Sequence, residues 1–323
     1  MREPSLFDGR SPSNVPKLVE GFLSSLTSEK SASEHTIINY DIDLRHFLKY
    51  LFDHHAPFTF QKVCNLKIIR GFVSDEMQKY SRATVGRRLS VIKGFLKYLH
   101  REGYIEKNVA KLISLPKQEE RLPHILKPVE AIQLIEGIPS NTIPEKRMKA
   151  IVELLYSTGI RVSELAGLTY EKLNFTQSTI LVFGKGSKER LVPMGEHCRK
   201  ALLDYIDAVP RLQKTGASTP LFLNHEGKAL SVRSIQRLIR KFAQEILGTK
   251  GDSVTPHTFR HSCATHLLAG GAGLREIQEL LGHRSLVTTQ KYTQVDIQRL
   301  KESYKKAHPK EQGPQPKRRI KEL

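Results

Sequence analysis

LGHRSLVTTQKYT, residues 281–293, sets His283 nine residues ahead of Tyr292. Leu281 and Gly282 read as a helix end, because glycine takes the left-handed conformation that closes a helix. The polar run that carries the tyrosine starts at Ser285. A phenol can attack a phosphodiester only where cations surround the phosphate. The chain offers such cations in other segments: Arg161 in TGIRVSELAGL, Lys185 in GKGSKER, and His257 and Arg260 in HTFRH. With His283 and Tyr292 they make a set of two arginines, a lysine, two histidines and a tyrosine. Such a set is suited to breaking and rejoining DNA without a metal.

Bulk properties agree with an anionic partner. A length of 323 residues predicts two domains, each large enough for its own core. The formal net charge is +19, which favours a polyanion, because bound lysine and arginine release condensed counterions from DNA. No apolar run approaches the roughly 20 residues needed to span a bilayer. The start, MREPSLFDGRSPSN, lacks the apolar stretch of a signal peptide. Cys64, Cys198 and Cys263 are widely spaced and odd in number, unlike a disulfide framework or a zinc site. A reducing cytoplasm is the expected setting, with no membrane partner.

Apolar periodicity divides the chain. Residues 1–14 read as a polar leader. Residues 15–113 read as a helical domain of four helices. Leu18, Val19, Phe22, Leu23 and Leu26 stripe the first. Thr36 opens the second, with Ile37, Tyr40, Leu44, Phe47, Leu48 and Leu51 on one face. Asn65 caps the third, which carries Ile69, Phe72 and Val73. The fourth holds Val85, Leu89, Ile92, Phe95, Leu96 and Leu99 and stops at Gly103. Its other face carries Arg82, Arg87, Arg88, Lys93 and Lys97. Acidic partners for i,i+4 pairing are missing from that face, so it is expected to meet DNA. Pro116, Pro123 and Pro128 break helical continuity, and residues 114–128 read as a linker. A linker of this length would let two domains close around a duplex.

Residues 129–308 read as an α+β domain. Helices are expected near Val129–Glu136 and over Met148–Ser157, the latter ending at Gly159. A short helix follows near Ser163. STILVF and RLVPM alternate as two strands around the glycine-containing turn GKGSKE. Ser231 caps a helix with Ile235, Leu238, Ile239 and Phe242 inward and Arg233, Arg237, Arg240 and Lys241 elsewhere around it, a second candidate DNA-binding set. Thr255-Pro256 is a helix start with proline at the first position. Leu274–Leu281 forms another helix, and Asp296–Lys306 a last amphipathic one with Ile297, Leu300 and Tyr304. Residues 309–323 read as a basic, disordered tail.

Each candidate has an ordinary reading beside the chemical one. His257 and Arg260 stand at i,i+3 near a helix N-terminus, so both can reach one phosphate; they could equally be surface polar residues. His261 adds an HxxxH pair with His257, but the glutamate of a zinc motif is absent, so no metal is expected. Arg161 lies just past a helix-ending glycine, where a guanidinium can bind two phosphate oxygens. Glu164 could orient it. Lys185 on a hairpin tip could deliver a proton to a leaving oxygen or simply aid solubility. The phosphate-loop pattern is incomplete around it, so no nucleotide cofactor is expected. In isolation His283 could cap a helix, and Tyr205 and Tyr304 rival Tyr292.

Taken in order, TGIRVSEL, GKGSKER, HTFRHSCATHLL and LGHRSLVTTQKYT resemble the motifs of tyrosine recombinases of the phage integrase family, most of all the Xer type. TVGRRLSVIKGFLKYL is similar to the DNA core-binding domain of that group. The resemblance spans roughly residues 15 to 305 and implies a mainly α fold. A four-helix, SAM-like core-binding domain would precede an α+β catalytic domain with a small antiparallel sheet. It implies Tyr292 as nucleophile, Arg161, Arg260 and His283 on the non-bridging oxygens, Lys185 as general acid, and His257 assisting proton transfer. It also implies double-stranded DNA as substrate and a cyclic tetramer, in which the last helix of each subunit docks on its neighbour. A sister recombinase in a heterotetramer and a septal DNA translocase would be further partners, and chromosome dimers the substrate. A phage or transposon integrase, a type IB topoisomerase and a non-catalytic DNA-binding protein are the alternatives. The short leader leaves no room for an arm-binding domain, and pure binding needs no tyrosine.

Overall fold

Short polar side chains start the helices of the N-terminal part. In the computed structural model Ser33, Asn65 and Ser81 each accept a hydrogen bond from the backbone three residues on. Such a cap satisfies an otherwise orphaned amide. The structure describes residues 15–30, 32–56, 58, 65–113, 125–184, 189–209, 219–282 and 294–311. It divides into Met1–Arg121 and Leu122–Leu323.

The first unit contains α1 (Val15–Lys30), α2 (Glu34–His55), α3 (Leu66–Lys79) and α4 (Arg82–Arg101). Phe22, Leu44, Phe47, Phe72, Leu89, Ile92 and Phe95 fill its core. The stripe residues expected from periodicity are therefore the ones that meet. The second helix begins at Glu34 rather than Thr36, because Ser33 caps the Thr36 amide.

The second unit opens with α5 (Pro128–Glu136) and α6 (Ile143–Thr158), followed by the single-turn α7 (Val162–Ala166). A capping box of Thr142 and Glu145 starts α6 ahead of the Met148 expected from apolar spacing. An antiparallel sheet follows, with β1 (Leu173–Asn174), β2 (Thr179–Phe183) and β3 (Glu189–Pro193) in that spatial order. Ile180 faces Leu173 on one side and Val192 on the other. Then come α8 (Glu196–Asp207), α9 (Val232–Leu247), α10 (Pro256–Ala269), α11 (Leu274–Leu281) and α12 (Gln294–Ala307). Neither β1 nor α8 was anticipated from the sequence. The fold is mainly α with a small antiparallel sheet, as expected.

Two expected boundaries move. Leu126, assigned to the linker, is buried in the second core, and its amide donates to Ser262 Oγ at 2.9 Å. At the other end the folded body runs past residue 308. His308 is buried, Lys310 pairs with the buried Glu153, and a Glu311 carboxylate oxygen accepts from the Glu196 amide at 3.0 Å. A buried carboxylate needs a cation, and the supposed tail supplies it. Leu300, Tyr304 and Ala307 of α12 are buried against their own unit, with Tyr304 Oη 2.6 Å from Ser157 Oγ. Of the two uses open to that apolar side, docking on a neighbour or packing on its own core, these residues take the second here. Among the described residues no helix is long and apolar enough to cross a membrane.

Candidate active site

Gly159 ends α6 in the left-handed conformation, with φ of 60°. A Cβ there would stand 2.6 Å from Leu281 Cδ2, so the turn also needs the missing side chain. The reversal places Arg161 as the cap of α7. Its backbone amide donates to Glu164 Oε2 at 2.8 Å and its Nη1 to Glu164 Oε1 at 2.9 Å. Arg161 Nη2 reaches the carbonyl of Gly282 at 3.4 Å, while the side chain stays 43% exposed. That exposure leaves room for a ligand on a guanidinium already oriented from behind.

Thr255 caps α10 and Pro256 occupies its first turn, which places His257 and Arg260 near the positive end of the helix. Arg260 is buried. Its Nη1 donates to the Gly159 carbonyl at 2.6 Å and its Nη2 to the Leu281 carbonyl at 2.7 Å. Both arginines therefore arrive at the carbonyls of Leu281 and Gly282, immediately before His283. A guanidinium has five N–H groups, so these bonds leave donors on Arg260 for an oxyanion.

Electrostatics sharpen the arrangement. Burial, and then the nearby Arg161, lower the Arg260 pKa to about 10, with Glu164 partly offsetting them. Arg260 stays protonated at neutral pH but is poorly solvated, which strengthens its attraction for an anion. His257 is exposed at one edge. Protein packed against the ring, then His261 and Arg260, push its pKa below the usual histidine range. A neutral imidazole results, able to accept a proton. Its ring lies edge-on to His261, 4.4 Å between centroids. Burial alone would raise the Glu164 carboxyl, but hydrogen bonds and charge from Arg190, then Arg161, hold it below the usual carboxylate range.

Of the six expected catalytic residues, the structure brings Arg161, His257 and Arg260 together. Lys185, His283 and Tyr292 lie outside the described residues. The elements leading to them are described: β2 ends two residues before Lys185, and Gly282 closes α11 with φ of 67°. Gln294, two residues after Tyr292, begins α12. Arg190 was missed. Its signal was period-two alternation: in ERLVP it takes an inward position, a place for an aliphatic side chain unless an acid waits there.

The two DNA-facing sets fare differently. On α4, Arg82, Arg87 and Lys97 are exposed. Arg88 is a correction: it is 4% exposed, paired with Glu76 and Asp43, and its Nη2 lies 2.9 Å from His46 Nε2. Arg87 also pairs with Asp43, and Lys93 turns its ammonium onto the Ile113 carbonyl. The acids missing from α4 come from α2 and α3. On α9, Arg233, Arg237, Arg240 and Lys241 are exposed at i, i+4, i+7 and i+8, one stripe away from buried Ile235 and Ile239. Only Lys241 among these four has an ion pair within the described residues, with Glu245 at 3.8 Å.

Comparison with known proteins supplies the wider context. Residues 125–299 match the model of the phage integrase family, and residues 19–103 that of its N-terminal SAM-like domain. The chain is 42% identical over 301 residues to the tyrosine recombinase XerC of Thermodesulfovibrio yellowstonii, covering 92% of this chain and 97% of the relative. It is 38% identical over 296 residues to the tyrosine recombinase XerD of Oceanobacillus iheyensis, covering 90% and 98%. Among solved structures, the Tn1549 transposon integrase with a circular intermediate DNA aligns with a TM-score of 0.68 at 18% identity, covering 88% of this chain and 98% of that one. A lambda integrase dimer bound to a core site aligns with a TM-score of 0.63 at 17% identity, covering 87% and 99%. These two bear on the fold alone.

Proposed function

We propose, from the premise that this chain belongs to the phage integrase family of tyrosine recombinases, that it cuts and rejoins DNA at a specific site through a 3′-phosphotyrosyl intermediate. The observation that carries this reading is the meeting of Arg161 and Arg260 at the carbonyls just before His283, with a neutral His257 one helical turn from Arg260.

In this reading the Tyr292 phenol oxygen attacks the scissile phosphorus and gives its proton to His257. A bond forms between the phenol oxygen and phosphorus, and the bond to the 5′-oxygen breaks. Lys185 protonates that oxygen as it leaves. Arg161, Arg260 and His283 hold the non-bridging oxygens as charge builds, each donor worth about 10²–10³ in rate. The phosphodiester energy is kept in the protein–DNA link, so no ATP and no metal is needed. A 5′-hydroxyl from a partner duplex then attacks the link, restores the tyrosine and exchanges a strand. Two exchanges pass through a Holliday junction.

Two duplexes and four strand ends call for four active sites, which a cyclic tetramer provides. The curated relatives named XerC and XerD support a heterotetramer with a sister recombinase, resolving chromosome dimers in the cytoplasm before division. A septal DNA translocase would then govern its timing. The α9 stripe and the exposed cations of α4 are the DNA-binding surfaces of this assembly.

The test is covalent capture on a nicked suicide duplex carrying the host's dimer-resolution site. Wild-type protein accumulates a covalent adduct, whereas Tyr292→Phe binds the duplex and forms none. An adduct that persists in Tyr292→Phe would refute the nucleophile assignment.

A further inference from the structure

We infer that Arg190 is a positioning residue for strand cleavage, joining the carboxylate that holds Arg161 to the turn that precedes His283. This rests on the reading of Arg161 as a phosphate ligand. Arg190 is 6% exposed on β3. Its Nη1 and Nη2 donate to Glu164 Oε1 and Oε2 at 2.9 and 2.8 Å, the two-pronged geometry that fixes a carboxylate in its plane. Its Nε donates to the Leu280 carbonyl at 3.1 Å. With all three guanidinium nitrogens engaged inside the protein, Arg190 holds other groups rather than the substrate.

Glu164 is the bridge. Oε1 accepts from Nη1 of both Arg190 and Arg161, and Oε2 accepts from Arg190 Nη2 and the Arg161 amide. Two cations share one anion, so the trio keeps one net positive charge, carried on its exposed member, Arg161. Without Arg190, Glu164 would cancel the charge of Arg161 one for one and would be free to swing with it.

The same side chain governs a second segment. A Cβ on Gly282 would lie 3.2 Å from Cδ, Nε and Cζ of Arg190. The arginine thus lies flat against the left-handed turn before His283. Arg190 is also the second residue of β3, opposite Val182 of β2. The start of α7 and the turn at Gly282 are both tied to one buried cation. A buried ion pair is often no more stabilising than an apolar pair of similar volume, so its presence here is better explained by placement than by stability.

The test compares single-turnover cleavage of a suicide duplex bearing either the normal scissile phosphate or an uncharged methylphosphonate at that position. Site binding and thermal melting are followed in parallel. Arg190→Met is expected to bind DNA nearly as wild type and to lose about 10²-fold in cleavage of the phosphate, as for a displaced positioning group. On the methylphosphonate the loss should be several-fold smaller, because an uncharged centre asks less of Arg161. Arg190→Lys should restore part of the rate. The double variant Glu164→Gln with Arg190→Met should also recover part of it, since the carboxylate that cancels Arg161 is gone. If Arg190→Met folds poorly, these two variants carry the comparison.

Equal losses on both substrates would reduce Arg190 to a structural residue and overturn the inference. So would wild-type cleavage by Arg190→Met. Arg161→Ala on the same pair separates this inference from its premise. If its loss also ignores the phosphate charge, the assignment of Arg161 fails; if only the Arg190 loss ignores it, the premise stands and this inference falls.

Discussion

Arg260 donates from Nη1 to the carbonyl oxygen of Gly159 at 2.6 Å, tying the left-handed end of α6 to the first turns of α10. Its Nη2 does the same for Leu281 at 2.7 Å. One planar group thus satisfies two turns and, in the proposed function, offers its remaining N–H groups to a phosphate. A lysine cannot do both, because its ammonium is a point donor with no fork. Arg260→Lys is expected to lower single-turnover cleavage by about 10²–10³ and to lower the melting temperature, since buried carbonyls lose a partner. Cleavage at the wild-type rate would show that the planar fork is dispensable.

His257 makes a prediction about pH. Its folded pKa lies below the ordinary 6.5, through burial first and then the neighbouring His261 and Arg260. If it takes the phenol proton, cleavage should fall on acidification only below the usual histidine range. Replacing His261 with glutamine removes one depressing neighbour and should move that acid limb to higher pH. The pH profile of single-turnover cleavage checks both statements. An acid limb that stays put in His261→Gln would mean that another group controls it.

What could be read from the sequence was whatever is decided locally. Asn65, Ser231 and Thr255 declare themselves because a cap needs only the next three residues. Gly159 and Gly282 do so because a left-handed helix end favours glycine. Arg161, His257 and Arg260 stand out by residue type and spacing; the structure places Arg161 and Arg260 at adjacent carbonyls and His257 one turn from Arg260. What could not be read depends on distant partners. Arg88 looked solvent-facing because its acids, Asp43 and Glu76, sit on other helices. Nothing local singles out Arg190, because its partner Glu164 belongs to α7. Residues 309–311 looked like a polar tail because Glu153, which needs Lys310, is buried on α6.

His308 is the sharpest consequence of that packed end. Its ring stacks on Tyr304 with centroids 4.8 Å apart, and its Nε2 lies 3.3 Å from the Tyr156 carbonyl. Burial is the largest influence. It outweighs the Tyr156 hydrogen bond and, with His266 and Lys310 nearby, lowers the pKa from 6.5 to about 3. The folded protein therefore keeps His308 neutral, while the unfolded chain takes up a proton below pH 6.5. Its contribution to stability is fully present above pH 6.5 and is lost as the pH falls toward 3, by at most about 1.4 kcal/mol per pH unit. His308→Phe keeps a ring but removes the titration, so its stability should fall less steeply on acidification than that of the wild type. Urea unfolding between pH 7.5 and 5 measures both slopes. Identical slopes would mean that the pocket admits the charged imidazole, and that the chain end is less tightly seated on α6 than its contacts with Tyr156 and Tyr304 require.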